Sequence, residues 1–374
     1  MSLAGKLSIV THFKNLKDPR IERRKKHLLL DIIVLTICAV IADAEGWEDI
    51  ESYGCAKLEF LKGFLTLPNG IPSHDTIGRV FQRLKPAEFE RCFRSWTRAL
   101  AEELGLKHVA IDGKTLRRSF DNAAGKSALH MVSAWSVENH LTLGQQAVDG
   151  KSNEITAIPE LLRLLELSGA VVTIDAMGCQ KEIADQIIEA GGEYILAVKE
   201  NQPHLHQDIL DHFIDIHENG GAKCRHYRTT EKGHGRVEQR DYYITPVPET
   251  LRNREAWRGL KSIGQVIRQV ERDGKTTGEL GLYISSLETN AGRFGKAVRG
   301  HWGIENSCHW VLDVTFDEDR SRIRKGHGPE NFAMLRRLAI ALIKRLPTKT
   351  SIRRHRKKAA WDDSHLLTIL AAAA

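Results

Sequence analysis

Two short apolar segments constrain the fold of this 374-residue chain more than any other feature. Residues 170–175 read Ala-Val-Val-Thr-Ile-Asp, and residues 194–198 read Tyr-Ile-Leu-Ala-Val. Such runs are typical of strands that are buried on both faces of a sheet. Because the helical pattern of residues 181–190 lies between them, the order strand, helix, strand predicts an α/β layer fold.

Three more β-like segments precede this pair, at residues 108–112, 129–137 and 140–148, and a helical pattern follows them at 156–167. The order β-β-β-α-β-α-β favours a sheet whose first three strands form an antiparallel meander. We therefore expect residues 106–202 to form the first part of an α/β core.

Residues 1–105 are predicted to be all-helical. Pro68–Pro72 breaks an amphipathic stretch, Ser73 is a natural N-cap, and Thr76–Leu84 reads as the next helix. Helix, turn, helix is the outline of a DNA-binding hairpin, but any helical hairpin gives the same pattern. Both interpretations stay open.

Residues 203–290 predict a β-rich insertion, because apolar residues alternate on both sides of the turn Asp273-Gly274. Residues 291–346 return to a helical pattern and form the second part of the core. Residues 347–374 read as a basic C-terminal tail. Glu238, in one alternating strand of the insertion, is expected on a solvated face.

The formal charge of +7 is unevenly distributed. Between Arg320 and Ala360 there are 14 Lys and Arg against one acid, a local +13 that leaves −6 for the remainder. Such a local excess is the usual footprint of a phosphate-backbone contact.

The chain shows no sign of export or of a membrane anchor. Its start has no apolar signal core, and its longest apolar run, Leu28–Ala42, is shorter than the ~20 residues that span a bilayer. Its six cysteines are scattered, with no C-x-x-C pair, which argues against a disulfide framework or a zinc knuckle. We expect a cytoplasmic, nucleoid-associated protein.

Two aspartates end predicted strands. Asp112 follows 108–111 and Asp175 follows 170–174, and functional groups collect beyond the carboxyl ends of strands in such sheets. Neighbouring carboxylates repel unless a cation neutralises them, and oxygen ligands select Mg²⁺ or Mn²⁺. Alternatively, Asp112-Gly113 is an ordinary turn and Asp175 caps the next helix.

Glu305 is the third candidate acid. It lies in the predicted helix Phe294–Asp313, where His301, Glu305 and His309 follow each other at intervals of four and form one polar stripe. A glutamate in such an apolar helix needs a partner when buried, which could be a metal or a histidine. A zinc site is disfavoured because the H-E-x-x-H spacing is absent.

Four blocks carry a resemblance to a known family. They read Ala110-Ile-Asp-Gly-Lys-Thr-Leu-Arg117, Thr173-Ile-Asp-Ala-Met-Gly-Cys-Gln180, Tyr194-Ile-Leu-Ala-Val-Lys-Glu-Asn-Gln202 and His301-Trp-Gly-Ile-Glu-Asn306. In this order they resemble bacterial insertion-sequence DDE transposases, in particular the subgroup that includes the H-repeat-associated proteins of Rhs elements. The resemblance runs from about Asp18 to the C-terminal region.

The resemblance implies a fold and a set of catalytic residues. The fold is an RNase H-like catalytic core interrupted by a β-rich insertion and preceded by an all-helical N-terminal domain. The Asp-Asp-Glu triad falls on Asp112, Asp175 and Glu305, which would hold Mg²⁺ or Mn²⁺, two ions in each active site. The insertion accounts for the long interval before the glutamate.

One departure concerns the residues around the glutamate. The wider group often has Tyr, Arg and Lys there, and this chain has Val298, His301 and Leu312. Arg299, His301 and Lys296 are candidates to replace the missing phosphate contacts. The full set of candidate DNA contacts is Lys114, Arg117, Arg118, Lys199, Arg299 and His301.

The function implied by the resemblance is DNA transposition. The enzyme would cut at insertion-sequence ends and join the freed 3′-OH to target DNA by two-metal phosphodiester chemistry. Its partners would be the element ends and the target DNA, with a homodimer in the DNA complex and neither a membrane nor a nucleotide cofactor. A catalytically idle DNA-binding relic or regulator and a nuclease without strand transfer are the alternatives.

Overall fold

The computed structural model describes residues 8–148, 153–220, 223–233 and 235–372. Its strands are β1 His108–Leu116, β2 Leu129–Ser136, β3 Leu141–Val148, β4 Val171–Ile174, β5 Glu193–Val198, β6 Arg225–Gly233, β7 Arg236–Pro246, β8 Ser262–Arg272 and β9 Lys275–Ser285. They form one mixed sheet in the order β3-β2-β1-β4-β5-β9-β8-β7-β6.

A helical N-terminal region precedes the sheet, and further helices cover it or follow it. The helices are α1 Ser8–Phe13, α2 Leu29–Ile41, α3 Trp47–Ala56, α4 Leu58–Lys62, α5 His74–Arg83, α6 Pro86–Leu104, α7 Glu154–Leu162, α8 Lys181–Glu189, α9 Pro203–Asn219, α10 Ala291–Ile304, α11 Trp310–Thr315, α12 Gly328–Lys344, α13 Ile352–Trp361 and α14 Asp363–Ala371. Residues 1–7, the start of the predicted helical region, lie outside the described residues.

The first five strands lie together on one side of the sheet, from the edge strand β3 to β5. β1 pairs antiparallel with β2 and parallel with β4, and β4 pairs parallel with β5. β4 is buried along its whole length, as its apolar sequence predicts. Parallel strands end at the same edge of a sheet, so this pairing determines where the residues after β1 and β4 meet.

The predicted insertion is not a separate β unit. It begins with a helix, α9, and its last strand returns to pair antiparallel with β5, with Ile195 opposite Ser285. The strands β9, β8, β7 and β6 therefore extend the same sheet. The prediction of a solvated Glu238 is wrong, because this carboxylate is buried and paired with Arg240 and Arg268.

α2 is the core helix that the apolar run predicts, with Asp31–Ile41 buried throughout. Its one acid is compensated, because Asp31 accepts a 2.7 Å hydrogen bond from the Leu67 backbone N–H. No helix in the described ranges combines the length and apolarity that a membrane crossing requires.

The C-terminal segment is not a simple tail, because it forms α13 and α14. Nor is the whole basic segment available to a phosphate backbone. Arg336 and Arg337 are buried beside Glu318, and Arg356 is buried beside Asp43. These three cations therefore stabilise contacts within the protein interior and do not face solvent.

Candidate active site

The two aspartates meet through the register of parallel strands. Ile111 of β1 is paired with Ile174 of β4, so Asp112 and Asp175 are the next residues on neighbouring strands. The prediction that Asp112 ends its strand is wrong, because β1 continues to Leu116 in pairing with β2. Only the pairing with β4 ends there, and this brings the two aspartates to the same edge of the sheet, where both line one cavity.

Asp175 also has a local structural role. Its Oδ1 atom accepts hydrogen bonds from the backbone N–H groups of Met177, at 3.1 Å, and Gly178, at 3.4 Å. This capping role was one of the two interpretations of the sequence. The turn fixes the direction of the carboxylate, which still lines the cavity described below.

Glu305 lies where α10 changes into a single π-helical turn, Glu305–His309, before α11 begins. The single helix predicted for residues 294–313 is thus interrupted. Such turns recur at functional sites because they redirect side chains without ending the helix. Nδ1 of His309 lies 3.1 Å from Oε2 of Glu305 and 3.5 Å from Oδ2 of Asp112.

The three acids line one open cavity of about 420 Å³. Its wall also contains Lys199, His301 and the half-exposed ring of Trp302. In the described part of the chain, ligand atoms of Asp112, Glu305 and His309 lie within 4.8 Å of one another. Asp175 faces the same cavity outside that tight group.

Electrostatics distinguish the two acids that His309 joins. Burial raises the pKa of Asp112 to about 6, although nearby His309 and the Gly113 N–H oppose the shift. The hydrogen bond from His309 lowers the pKa of Glu305. An Asp112 carboxylate is therefore costly unless a positive charge compensates it.

Glu154 is a fourth acid near Asp112, and the sequence analysis assigned it no role. It opens α7, and its Oε1 atom lies 2.6 Å from Nε2 of His130. A Cβ atom on Gly113 would lie 2.1 Å from this carboxylate oxygen, so the glycine allows Glu154 to pack against β1. In the sequence, Glu154 could be noticed only as an acid at the start of the helix that follows the antiparallel meander.

The remaining member of the polar stripe, His301, is hydrogen-bonded to Thr173 and not to Glu305 or His309. Nδ1 of His301 lies 3.0 Å from Oγ1 of Thr173, and Nε2 of His108 lies 2.8 Å from the same hydroxyl. His301 therefore does not converge with Glu305 and His309 on a zinc-type site. The predicted alternative of a Glu–His pair fits Glu305 and His309, although the Glu305 side chain is about half exposed.

The candidate DNA contacts fall into different environments. Lys199 and His301 line the cavity. Lys114 is buried, with its Nζ 2.6 Å from Asp313 and 3.3 Å from Asp319.

The other candidates lie nearer the surface. Arg117 is largely exposed but paired with Asp319, and Arg299 is paired with Glu231 on β6. Arg118 is exposed, and its carbonyl accepts a hydrogen bond from Arg324.

Comparison with known families defines the class of protein to which the chain belongs. Residues 103–342 match the family described as "Transposase DDE domain", and residues 10–97 match the associated N-terminal family. The chain belongs to the DDE transposase family, whose members are metal-dependent enzymes of DNA cleavage and transfer.

Individual relatives indicate which members of this family the chain most resembles in sequence. The chain is 42% identical to the Escherichia coli K12 protein named "H repeat-associated putative transposase YhhI", over 97% of each chain. It is also 49% identical, over 21% of its length and 92% of the relative's, to the "Inactive transposase YbfQ" of the same organism. A piggyBac transposase in a synaptic complex with hairpin DNA aligns over 98% of this chain and 78% of its own, at 8% identity and a TM-score of 0.41.

Proposed function

We propose that this chain is a DNA transposase that cuts at insertion-sequence ends and joins the freed 3′-OH to target DNA. The observation that carries the proposal is that Asp112, Asp175 and Glu305 line one cavity in a chain of the DDE family. Each acid comes from a different element, and 130 residues separate the last two along the chain.

The topology supports an RNase H-like core for this enzyme. Three antiparallel strands are followed by two parallel ones, in the order β3-β2-β1-β4-β5. In this proposal residues 106–202 and 291–346 form the core, 203–290 the insertion and 1–105 the N-terminal domain. Residues 347–374 form a C-terminal unit.

The donor set fits divalent metal ions. Carboxylate oxygens are the ligands that Mg²⁺ and Mn²⁺ prefer, and burial leaves Asp112 in need of a compensating cation. Asp112, Asp175 and Glu305 would together hold two such ions in each active site. When bound, such ions supply charge stabilisation for the attacking and leaving oxygens of a phosphodiester.

The side chains of the chain position the DNA and the acids. His309 holds the Glu305 carboxylate toward Asp112, and the backbone of the turn after β4 holds Asp175. Lys199 and His301, in the cavity wall, would contact phosphate groups. Lys114 has no such role in this proposal, because Asp313 and Asp319 already engage its ammonium group. Bringing two element ends together requires two active sites, so we propose a homodimer on DNA.

Joining of pre-cut ends tests the function. The DNA flanking the gene supplies candidate ends, and the purified chain is incubated with these pre-cut duplexes, supercoiled plasmid and Mg²⁺ or Mn²⁺. We expect joined products from the unmodified chain. Asp112→Asn should abolish them and retain DNA binding, because the exchange removes the charge of a metal ligand without changing the shape of the side chain. Glu249→Gln, at an exposed acid, is the matched control.

Other outcomes would identify the alternatives. Nicked plasmid without joined products indicates a nuclease. A chain that retards the flanking DNA on a gel but yields neither product is an idle relic or regulator. Full joining by the Asp112→Asn variant would reject Asp112 as a metal ligand.

A further inference from the structure

The outer face of α13 concentrates positive charge around an exposed tryptophan. At about 100° per residue, Arg353, Lys357, Trp361, Arg354 and Lys358 follow one another around roughly 140° of the helix. All five are exposed, and Trp361, with 77% of its surface accessible, is the most exposed large apolar side chain of the described residues.

The opposite face of α13 is fixed in the core. Ile352, His355, Arg356 and Ala359 are buried. The Arg356 guanidinium donates to the carbonyl groups of Val40 and Thr315, pairs with Asp43 at 2.9 Å and lies over the Phe316 ring at 3.9 Å. Thr315 ends α11, so α13 is attached directly to the helical segment that carries Glu305 and His309.

The exposed cations of α13 lack acidic partners within the protein. Arg353, Arg354, Lys357 and Lys358 form no ion pair in the described part of the chain, whereas Arg117, Arg299 and Arg320 each pair with an acid. Two pairs on this face, Arg353 with Lys357 and Arg354 with Lys358, have like charges four residues apart. Such pairs destabilise a helix unless an anion lies against them. The helix also begins with Ser351, whose Oγ atom caps the N–H of Arg354 at 3.4 Å.

A cavity of about 590 Å³ lies beside this face. Its lining includes Arg354, Lys358 and Trp361, together with the stacked rings of His355 and His365. Cationic side chains interleaved with aromatic rings are the composition of surfaces that track a nucleic-acid backbone and contact its bases.

We propose that the outer face of α13 is a DNA-binding surface, with Arg353, Arg354, Lys357 and Lys358 on phosphate groups and Trp361 against an exposed base or sugar. This inference rests on the proposed function and adds to it the site that grips DNA beyond the catalytic cavity. Through Arg356, DNA held on α13 has a fixed position relative to Glu305.

The test compares two sets of four alanine substitutions that remove the same charge. One set replaces the four cations of α13. The control set replaces Lys14, Lys17, Lys223 and Arg225, which are exposed and form no ion pair in the described ranges. Binding of a short fluorescent DNA duplex of mixed sequence with a single-stranded overhang is measured with the full chain across a series of salt concentrations, and circular dichroism confirms folding.

We expect the α13 set to weaken binding more than about tenfold and to lower the salt slope by about 0.9 for each lost phosphate contact. The control set should change both far less. Trp361→Ala should weaken binding about fivefold or more, and Trp361→Phe should retain most of it. Equal losses in both sets, or no loss in the α13 set, would overturn the inference, whereas failure of the unmodified chain to bind DNA would refute the proposed function itself.

Discussion

Nδ1 of His309 lies 3.1 Å from Oε2 of Glu305, one π-helical turn along the same helical segment. The same nitrogen lies 3.5 Å from Asp112, so one buried imidazole connects a strand acid and a helix acid that are far apart in sequence. The register of β1 and β4 places the aspartates, and this histidine completes the alignment with the glutamate.

Replacing His309 should weaken metal binding. Loss of a residue that hydrogen-bonds to a metal ligand typically lowers metal affinity about ten- to a hundredfold. We therefore expect His309→Ala to lower the affinity for Mn²⁺ by about that factor. Titration calorimetry measures it. His206→Gln is the matched control, because His206 lies on α9 and does not line the cavity. An unchanged affinity in His309→Ala would mean that Glu305 is held in place by other contacts.

Asp112→Asn should stabilise the metal-free protein and remove its response to metal. The folded-state pKa of about 6 exceeds the ordinary 3.8, so stability falls as pH rises through this window, and the charge is unfavourable at pH 7. The exchange should therefore add roughly 1–2 kcal/mol to the free energy of unfolding at pH 7. Saturating Mn²⁺, at about 100 times its Kd, should add about 2.7 kcal/mol to the unmodified protein only.

Urea unfolding with and without Mn²⁺ measures both effects. Glu249→Gln should resemble the unmodified protein in each condition. Equal stabilisation by Mn²⁺ in Asp112→Asn would place the ion elsewhere.

Mild acid should destabilise the fold through His108. Burial lowers its pKa from 6.5 to about 4, with a smaller effect from His301. The unfolded chain binds this proton first, so stability is lost as pH falls from 6.5 toward 4, by about 2–3 kcal/mol for this group. His108→Gln, which can keep a hydrogen bond to Thr173, should flatten the dependence in this window, as measured by thermal melting. His206→Gln, at a half-buried histidine, should leave it unchanged; a similar flattening there would assign the effect to histidines in general.

Arg356→Met should be strongly destabilising. It leaves the carbonyl groups of Val40 and Thr315 and the Asp43 carboxylate without their partner, and breaking a buried charge interaction costs about 3–5 kcal/mol. Arg353→Met, three positions earlier on the exposed face, should stay within about 0.5 kcal/mol. Urea unfolding of both variants gives the comparison, and similar losses in the two would show that the buried contacts contribute little.

The sequence predicts the three acids that line the cavity more fully than the architecture around them. Asp112, Asp175 and Glu305 come from the motif blocks, and neighbouring strands for the two aspartates could be expected because the segments before them are short and apolar. The spacing of four residues also indicates the Glu305–His309 pair, whereas the contact of His309 with Asp112 depends on how the helical segment packs against the sheet. The cysteines, by contrast, are free in the structure, in agreement with their scattered spacing.

Other differences arise from interactions that a linear pattern does not contain. The sequence around Lys114 does not predict its ion pairs with Asp313 and Asp319, which lie some 200 positions later in the chain. The alternation around Glu238 fits a solvated face equally well until Arg240 and Arg268 close over it. Basic composition could not separate Arg356, which holds two helices together, from Arg353, which faces solvent.

The pairing of β9 with β5 has an evolutionary consequence. The chain leaves the first five strands after β5 and comes back beside it, so α10 starts from a position that is fixed by the sheet and not by a flexible connection. The hairpin ends, where Gly233 pairs with Arg236 and Arg272 pairs with Lys275, lie far along these strands from the pairing with β5. Insertions or deletions near those ends would therefore change the number of residues between Asp175 and Glu305 without displacing the strand pairing from which α10 starts.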